Sequence, residues 1–393
     1  MHISGVRDST MSGAESVLIN LVDCLKKNDI ESLVVVGGPG QLASLLESKG
    51  ILCIYEDITA LFTHGTSPAF MVKYLIQLFR SAQRLAKDVE KSRAQLIVSH
   101  TRGGHIFGWL TAYLSGVPVI LYNHDLSQSK VSRLVKILIG SCSSKVITVS
   151  NAVKKDMTSI PVVGRKLDHK IIVIPNAVNL QKFHPKNDGA GIRAEFGIET
   201  SFPVIGLIGQ LAEWKGQLDL LKAAPAVINL YPDAKFLLVG RSILQNDDYE
   251  IRLRGSAISL GINNNVIFTG YRCDIPELMS ALDILVSASW AEPFGLVVIE
   301  AMAAAKPVIG TKSGGIPEIV LDNKTGRLVP PHDPDSLANA IIEIAQDAEL
   351  MEAMGRSGRQ RAEEVYSSEL WIRRITSVFE DVFGALSASP SAK

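Results

Sequence analysis

Asp283-Ile-Leu-Val-Ser-Ala-Ser-Trp-Ala-Glu292-Pro-Phe-Gly-Leu-Val-Val-Ile-Glu300-Ala-Met-Ala is the stretch on which the fold turns. A short apolar run (283–287) enters a loop punctuated by Pro293 and Gly295, and an apolar helix follows from about 296 to 305. Strand, loop and helix in that order form the repeating unit of a parallel sheet. The same grammar extends upstream and downstream. Strand-like runs fall at 32–36, 51–55, 96–99, 118–121, 145–149 and 170–174, and a second series at 203–208, 235–239, 265–268, 283–287, 307–309 and 326–329. Amphipathic stretches separate most of them, so the chain reads as α/β with two doubly wound domains.

Asn, Asp, Gly and Pro accumulate between residues 175 and 203, which places a first domain at 1–185 and a second at 186–367. The helical pattern 368–386 has no strand after it and is expected either to cap its own domain or to cross back onto the first; 387–393 reads as a loose tail. Ligands of open parallel sheets bind outside the carboxyl ends of strands, so the expected site is a cleft that both sheet edges face.

Composition narrows the function classes. The 393 residues carry 40 basic and 40 acidic side chains and are 47% apolar, which argues against disorder and against a strongly basic nucleic-acid binder. The neutral total hides a division: residues 1–185 hold 21 basic and 13 acidic groups, and the remainder holds 19 and 27. Four scattered cysteines form neither a zinc knuckle nor a disulfide framework. With no signal peptide and no apolar run of membrane-spanning length, the expected location is cytoplasmic.

Each motif has a functional reading and a plain one. The helix start at Gly295 exposes backbone N–H groups suited to a diphosphate, and Glu292 and Glu300 could bind hydroxyls on either side of it. Equally, Glu300 could be a satisfied buried carboxylate and Glu292 a surface group. Lys215, in the loop after the strand 203–208, could reach phosphates or simply be solvated. Gly314-Gly315 permits close backbone approach or a tight turn, as Gly13 does after Ser12. His124-Asp125, at the end of the strand 118–121, is placed for polar contacts or proton transfer. Gly38-Pro-Gly40-Gln-Leu-Ala43 with Asp57 mimics a dinucleotide fingerprint, but Pro39 removes an N–H that a phosphate would want. Asp333-Pro-Asp335 and Asp247-Asp248 read as helix starts rather than metal sites.

Together these segments resemble the retaining glycosyltransferases of family GT4, whose fold is GT-B: two Rossmann-like domains facing a cleft. Glu292 to Glu300 resembles the family's E-x7-E signature. Ser12-Gly13-Ala14-Glu15 is similar to its glycine-rich first loop, His124-Asp125 to its histidine loop, and Gly270-Tyr-Arg272 and Gly314-Gly315-Ile-Pro-Glu318 to second-domain segments. The resemblance implies a nucleotide-sugar donor, UDP favoured over GDP, and a glycan, lipid-linked or small-molecule acceptor. It implies catalytic roles for His124, Lys215 and Glu292, and donor binding by Gly13, Gln210, Lys215, Arg272, Glu292, Phe294, Gly295, Leu296 and Glu300. It implies no cofactor, no metal and no nucleic acid. The chain departs from the pattern at Gln210, where members usually carry Arg, and in the short segment before its first glycine-rich loop. An epimerase, a sugar-phosphate synthase and a non-catalytic nucleotide-binding scaffold stay open as alternatives.

One further stretch, 71–91, is amphipathic: Met71, Leu75, Leu78, Ala82, Leu85 and Val89 share one face, and Lys73, Arg80, Arg84, Lys87 and Lys91 the other. The cationic stripe is either an ordinary solvated face or a patch for an anionic acceptor or the inner face of a membrane.

Overall fold

The computed structural model describes residues 1–4, 13–56, 68–127, 129–242 and 248–388, and side chains for all of these except 68–74, 161–163, 166 and 386–388. Ser12, Asp57 and Asp247, and the side chains of Met71 and Lys73, therefore lie outside the described residues.

The chain forms two compact units. The first comprises Met1–Pro175 and Trp371–Lys393, the second Asn176–Leu370. The division comes before the expected 185/186 because residues 176–185 are bound into the second unit. The Val178 N–H donates to the Tyr366 carbonyl at 2.9 Å, and Arg359 donates to the Phe183 carbonyl at 3.0 Å. The last helix, Ser368–Ala388, starts in the second unit and continues in the first, where Trp371, Ile375 and Val382 are buried. Redrawn at these boundaries the charge division persists, with 23 basic and 15 acidic residues in the first unit and 17 and 25 in the second.

In the first unit, strands β1 (His2–Ile3), β2 (Leu33–Val36), β3 (Leu52–Tyr55), β4 (Ile97–Ser99), β5 (Val119–Asn123), β6 (Lys145–Thr148) and β7 (Ile171–Val173) form one parallel sheet in the order β3-β2-β1-β4-β5-β6-β7. In the second, β8 (Val204–Ile208), β9 (Lys235–Val239), β10 (Val266–Gly270), β11 (Ile284–Ser287), β12 (Val308–Thr311) and β13 (Gly326–Val329) run β10-β9-β8-β11-β12-β13. Both orders are doubly wound. Each sheet reverses its winding once, between β1 and β4 and between β8 and β11, the position at which open parallel sheets bind their ligands. Helices cover both faces, so strands such as Val204-Ile-Gly-Leu-Ile208 are apolar throughout rather than alternating. Local chemistry fixes the helix starts: Ser129, Ser150 and Asp333 each accept a backbone N–H three residues on. Asp333 also takes the Ser336 hydroxyl at 2.6 Å, so the D-x-D is a helix cap.

The apolar face of the helix Pro68–Lys91 is unevenly buried. Ala82, Leu85 and Val89 are buried, but Leu75 is 55% exposed, and Ile76 and Phe79 are exposed beside it. At 24 residues this helix is about 36 Å long, while its packing partner Arg102–Ser115, at 14 residues, spans about 21 Å and is too short to cover all of it. The cationic stripe is also partly spent. Arg84 forms two bonds of 3.0 Å to Glu56, and Lys91 lies 3.5 Å from Asp88, leaving Arg80 and Lys87 without carboxylate partners among the described residues.

Candidate functional site

The second unit concentrates polar groups at the crevice between β8 and β11. The loop after β8 carries Lys215, and the loop after β11 carries Glu292; their Nζ and Oε2 lie 2.6 Å apart, so this ion pair bridges the two strands where the winding reverses. Both side chains are mostly buried, at 16% and 13% exposure, where a charge interaction is weakly screened. The Lys215 ammonium sits 4.3 Å above the Trp214 ring. The two loops are also sewn together by backbone, the Trp290 N–H donating to the Trp214 carbonyl at 2.8 Å. Trp290 is held from its other end by the buried Asp219 carboxylate, at 2.9 Å from its Nε1.

A third loop, after β12, presses on the same place. The Gly315 N–H donates to the Glu292 carbonyl at 2.8 Å, and a Cβ on Gly314 would stand 2.0 Å from that oxygen. Gly314 also has φ +58°, so two constraints demand glycine there. Gly295 adopts φ +113° as N-cap of the helix Leu296–Ala303. No side chain caps that helix, so its first N–H groups need another acceptor. These features place the carboxylate of Glu292, the ammonium of Lys215 and an uncapped helix start within one constellation.

Glu300 lies one turn inside the helix. Among the described residues no hydrogen bond or ion pair engages its carboxyl, and burial pushes its pKa up to about 7, opposed by the Lys182 ammonium. An unfolded carboxyl of this kind titrates near 4.5. Between those values the folded chain holds a proton that the unfolded chain has released, so this group makes stability fall as pH rises, with the loss complete above about 7. Glu300→Gln should remove that slope and melt above the wild type at pH ~8. An identical slope in a thermal-melt series would contradict this.

Other expected site residues fall elsewhere. Phe294 is 5% exposed and packs edge-on against Tyr366, with ring centroids 6.1 Å apart, so its side chain serves the core. Arg272 is claimed by Asp274 and Glu195, with paired bonds to both carboxylates, and braces the helices beginning at Ala190 and Ile275. Both side chains thus have partners within the protein. The Gln210 carbonyl accepts from Gln217 Nε2 at 2.8 Å, which holds the loop after β8 against the start of the next helix. Leu296 begins the uncapped helix, and Gly13 begins the helix Gly13–Lys27 in the first unit.

His124 follows β5 in the first unit, buried against Tyr122, whose ring centroid is 4.3 Å away. Nearby Lys136 is buried too, its ammonium donating to the Asp125 carbonyl at 2.7 Å, and desolvation lowers its pKa to about 8. Sequence reading singled out neither Lys136 nor Lys182. On the helix Lys130–Cys142, Lys136 sits between apolar Val135 and Ile137, and only the fold shows it turned inward.

The chain matches two family models: Glycosyltransferase Family 4 over residues 11–182 and Glycosyl transferases group 1 over residues 190–361. It is 26% identical over 325 residues to the Escherichia coli UDP-Gal:alpha-D-GlcNAc-diphosphoundecaprenol alpha-1,3-galactosyltransferase, covering 78% of this chain and 81% of that protein. It is 26% identical over 351 residues to an uncharacterized glycosyltransferase of Methanocaldococcus jannaschii, covering 83% and 86%. Among solved structures, the Anabaena protein HepE in complex with UDP superposes with a TM-score of 0.83 at 24% identity, over 97% of this chain and 99% of that one. The sucrose-phosphate synthase of Thermosynechococcus elongatus gives 0.78 at 22%, over 98% and 99%. Both are similar in fold.

Proposed function

The chain belongs to the GT4 glycosyltransferases, group 1, and on that premise we propose that it moves a hexosyl group from a nucleotide sugar to a hydroxyl acceptor with retention of anomeric configuration. The observation that carries the donor site is the Lys215–Glu292 pair beside the uncapped helix at Gly295. An incoming diphosphate competes for Lys215 and takes up the open N–H groups of Gly295 and Leu296. Glu292, released from the lysine, is then free to accept bonds from sugar hydroxyls. Glu300, without a protein partner, receives the ribose diol. As the glycosidic bond breaks, negative charge grows on the departing diphosphate, where the lysine and the helix start stabilise it. No metal ion enters this scheme, so a chelator should leave turnover unchanged.

UDP is favoured as the nucleotide, because the E. coli relative is named for UDP-Gal and HepE was crystallised with UDP. The lipid diphosphate in that relative's name supports a lipid-linked acceptor. Release of UDP from a panel of UDP-sugars, with the product's anomeric configuration read by NMR, tests the reading. An epimerised donor, or inversion, would overturn it.

The exposed apolar side chains Leu75, Ile76 and Phe79 of the helix Pro68–Lys91, on the same helix as Arg80 and Lys87, support contact with an anionic membrane surface. Among the described residues no helix is long and apolar enough to cross a membrane. At about 1 kcal/mol per cation, charge reversal at Arg80 and Lys87 should weaken cosedimentation with anionic liposomes at least ~30-fold. Unaltered sedimentation would count against the contact.

A further inference from the structure

Three histidines stand side by side where the first sheet reverses its winding. β1, β4 and β5 are neighbours, with His2 paired to Val98 and Ser99 paired to Leu121. His100 is thus two residues beyond the partner of His2, and His124 two residues beyond the position opposite His100. Steps of two preserve the face, so all three rings project from one side of the sheet. Adjacent strands lie about 4.8 Å apart, which brings such rings within bonding distance. His2 Nδ1 lies 3.1 Å from His100 Nε2, and His100 Nδ1 lies 3.2 Å from His124 Nε2. The chain ends at His124 Nδ1, a buried atom with no partner among the described residues.

Tyr122 packs along the row, 4.3 Å from the His124 ring and 5.5 Å from that of His100, and its hydroxyl accepts from Trp371 Nε1 at 3.2 Å. The Met1 amino group, buried on the Leu96 carbonyl, Lys136 from the helix Lys130–Cys142, and Arg102 and His105 from the helix Arg102–Ser115 are the surrounding charged and titratable groups. Burial holds all three imidazoles below their usual range, His124 at about 3; Lys136 reinforces this at His124, the neighbouring histidines at His100, and the Met1 amino group at His2 and His100.

A neutral imidazole carries one N–H, so every link joins the Nδ1 of one ring to the Nε2 of the next under a strict rule. If His2 donates from Nδ1, His100 must accept at Nε2 and donate from Nδ1, and His124 must then carry its proton on Nδ1. The reverse order puts all three protons on Nε2. We propose that His2 and His100 are positioning residues: the three histidines form one proton-ordered chain that sets the tautomer of His124 and so decides whether its free Nδ1 gives or takes a bond with a sugar hydroxyl. That the bonding partner is a sugar hydroxyl rests on the glycosyltransferase reading above; the proton order does not.

Long-range 1H–15N NMR of the imidazoles in the full chain, without substrate, reads the order directly. The expected result is one common tautomer for His2, His100 and His124, all neutral at pH ~7 and still neutral near pH ~5. Opposite tautomers in neighbouring rings, or an imidazolium at pH ~7, would overturn the proposal. The variant arm uses His2, which is farthest from His124. His2→Ala should break the common tautomer and lower kcat/KM about three- to tenfold, whereas His2→Asn, whose amide can donate or accept, should restore much of both. Unchanged His124 signals and kinetics in His2→Ala would refute the positioning role. A common tautomer in a wild-type chain that turns over no nucleotide sugar would support the proton order and place the failure in the function reading.

Discussion

Replacing Lys215 by alanine is expected to lower the rate of glycosyl transfer about 10²- to 10³-fold while the fold stays intact, the loss typical of removing one preorganised group aimed at developing charge. The expectation follows from placement. Lys215 is the ammonium at the β8/β11 crevice, 2.6 Å from Glu292 and mostly excluded from water. Its removal also leaves Glu292 without its counter-ion, so KM and kcat should both suffer. Lys215→Arg keeps the charge but offers a planar fork where a compact ammonium sits, and only partial activity should return. Equal kcat/KM in wild type and Lys215→Ala would remove the lysine from the mechanism.

Glu300→Ala should abolish detectable transfer for a different reason. The carboxyl is desolvated, held near pKa 7, and hydrogen-bonded by no protein group among those described. Such an arrangement weakens the ligand-free fold and is explained if a ligand completes it. If a ribose diol donates to the ionised form, donor affinity should fall about tenfold for each pH unit well below 7, as protonation competes with binding. Glu300→Gln should flatten that dependence and bind weakly throughout. A well-folded Glu300→Ala enzyme with wild-type turnover would show that this carboxyl does no work on the donor.

Much of the architecture was legible because parallel strands buried on both faces are written as short apolar runs. The stretch from 283 to 300 is one βα unit of that kind, and its helix begins at Leu296 as expected, though it ends at Ala303 rather than near 305. The crevice loops could be read as well, since Gly295, Gly314 and Gly315 are demanded by backbone geometry and by approaches of about 2 to 3 Å. Side-chain orientation was less visible. Phe294 adjoins the donor loop in sequence but turns into the core, and Arg272 is consumed by carboxylates, one of them 77 residues away in the chain. Leu75 has the right helical period, yet the partner helix is too short to cover it. The histidine row was invisible for a related reason, because it depends on the register of three strands drawn from positions 2, 100 and 124.

The second unit is expected to bind a nucleoside diphosphate at the Lys215–Glu292 pair. Calorimetric titration of UDP into the full chain measures this most directly, with wild type and Lys215→Ala compared in the same buffer. One UDP per chain is expected, with an affinity at least ~10-fold weaker in the variant, in keeping with the ~1.5–3 kcal/mol expected of a charged hydrogen bond. UDP affinity that is the same in both proteins, or a wild type that binds no UDP, would contradict it.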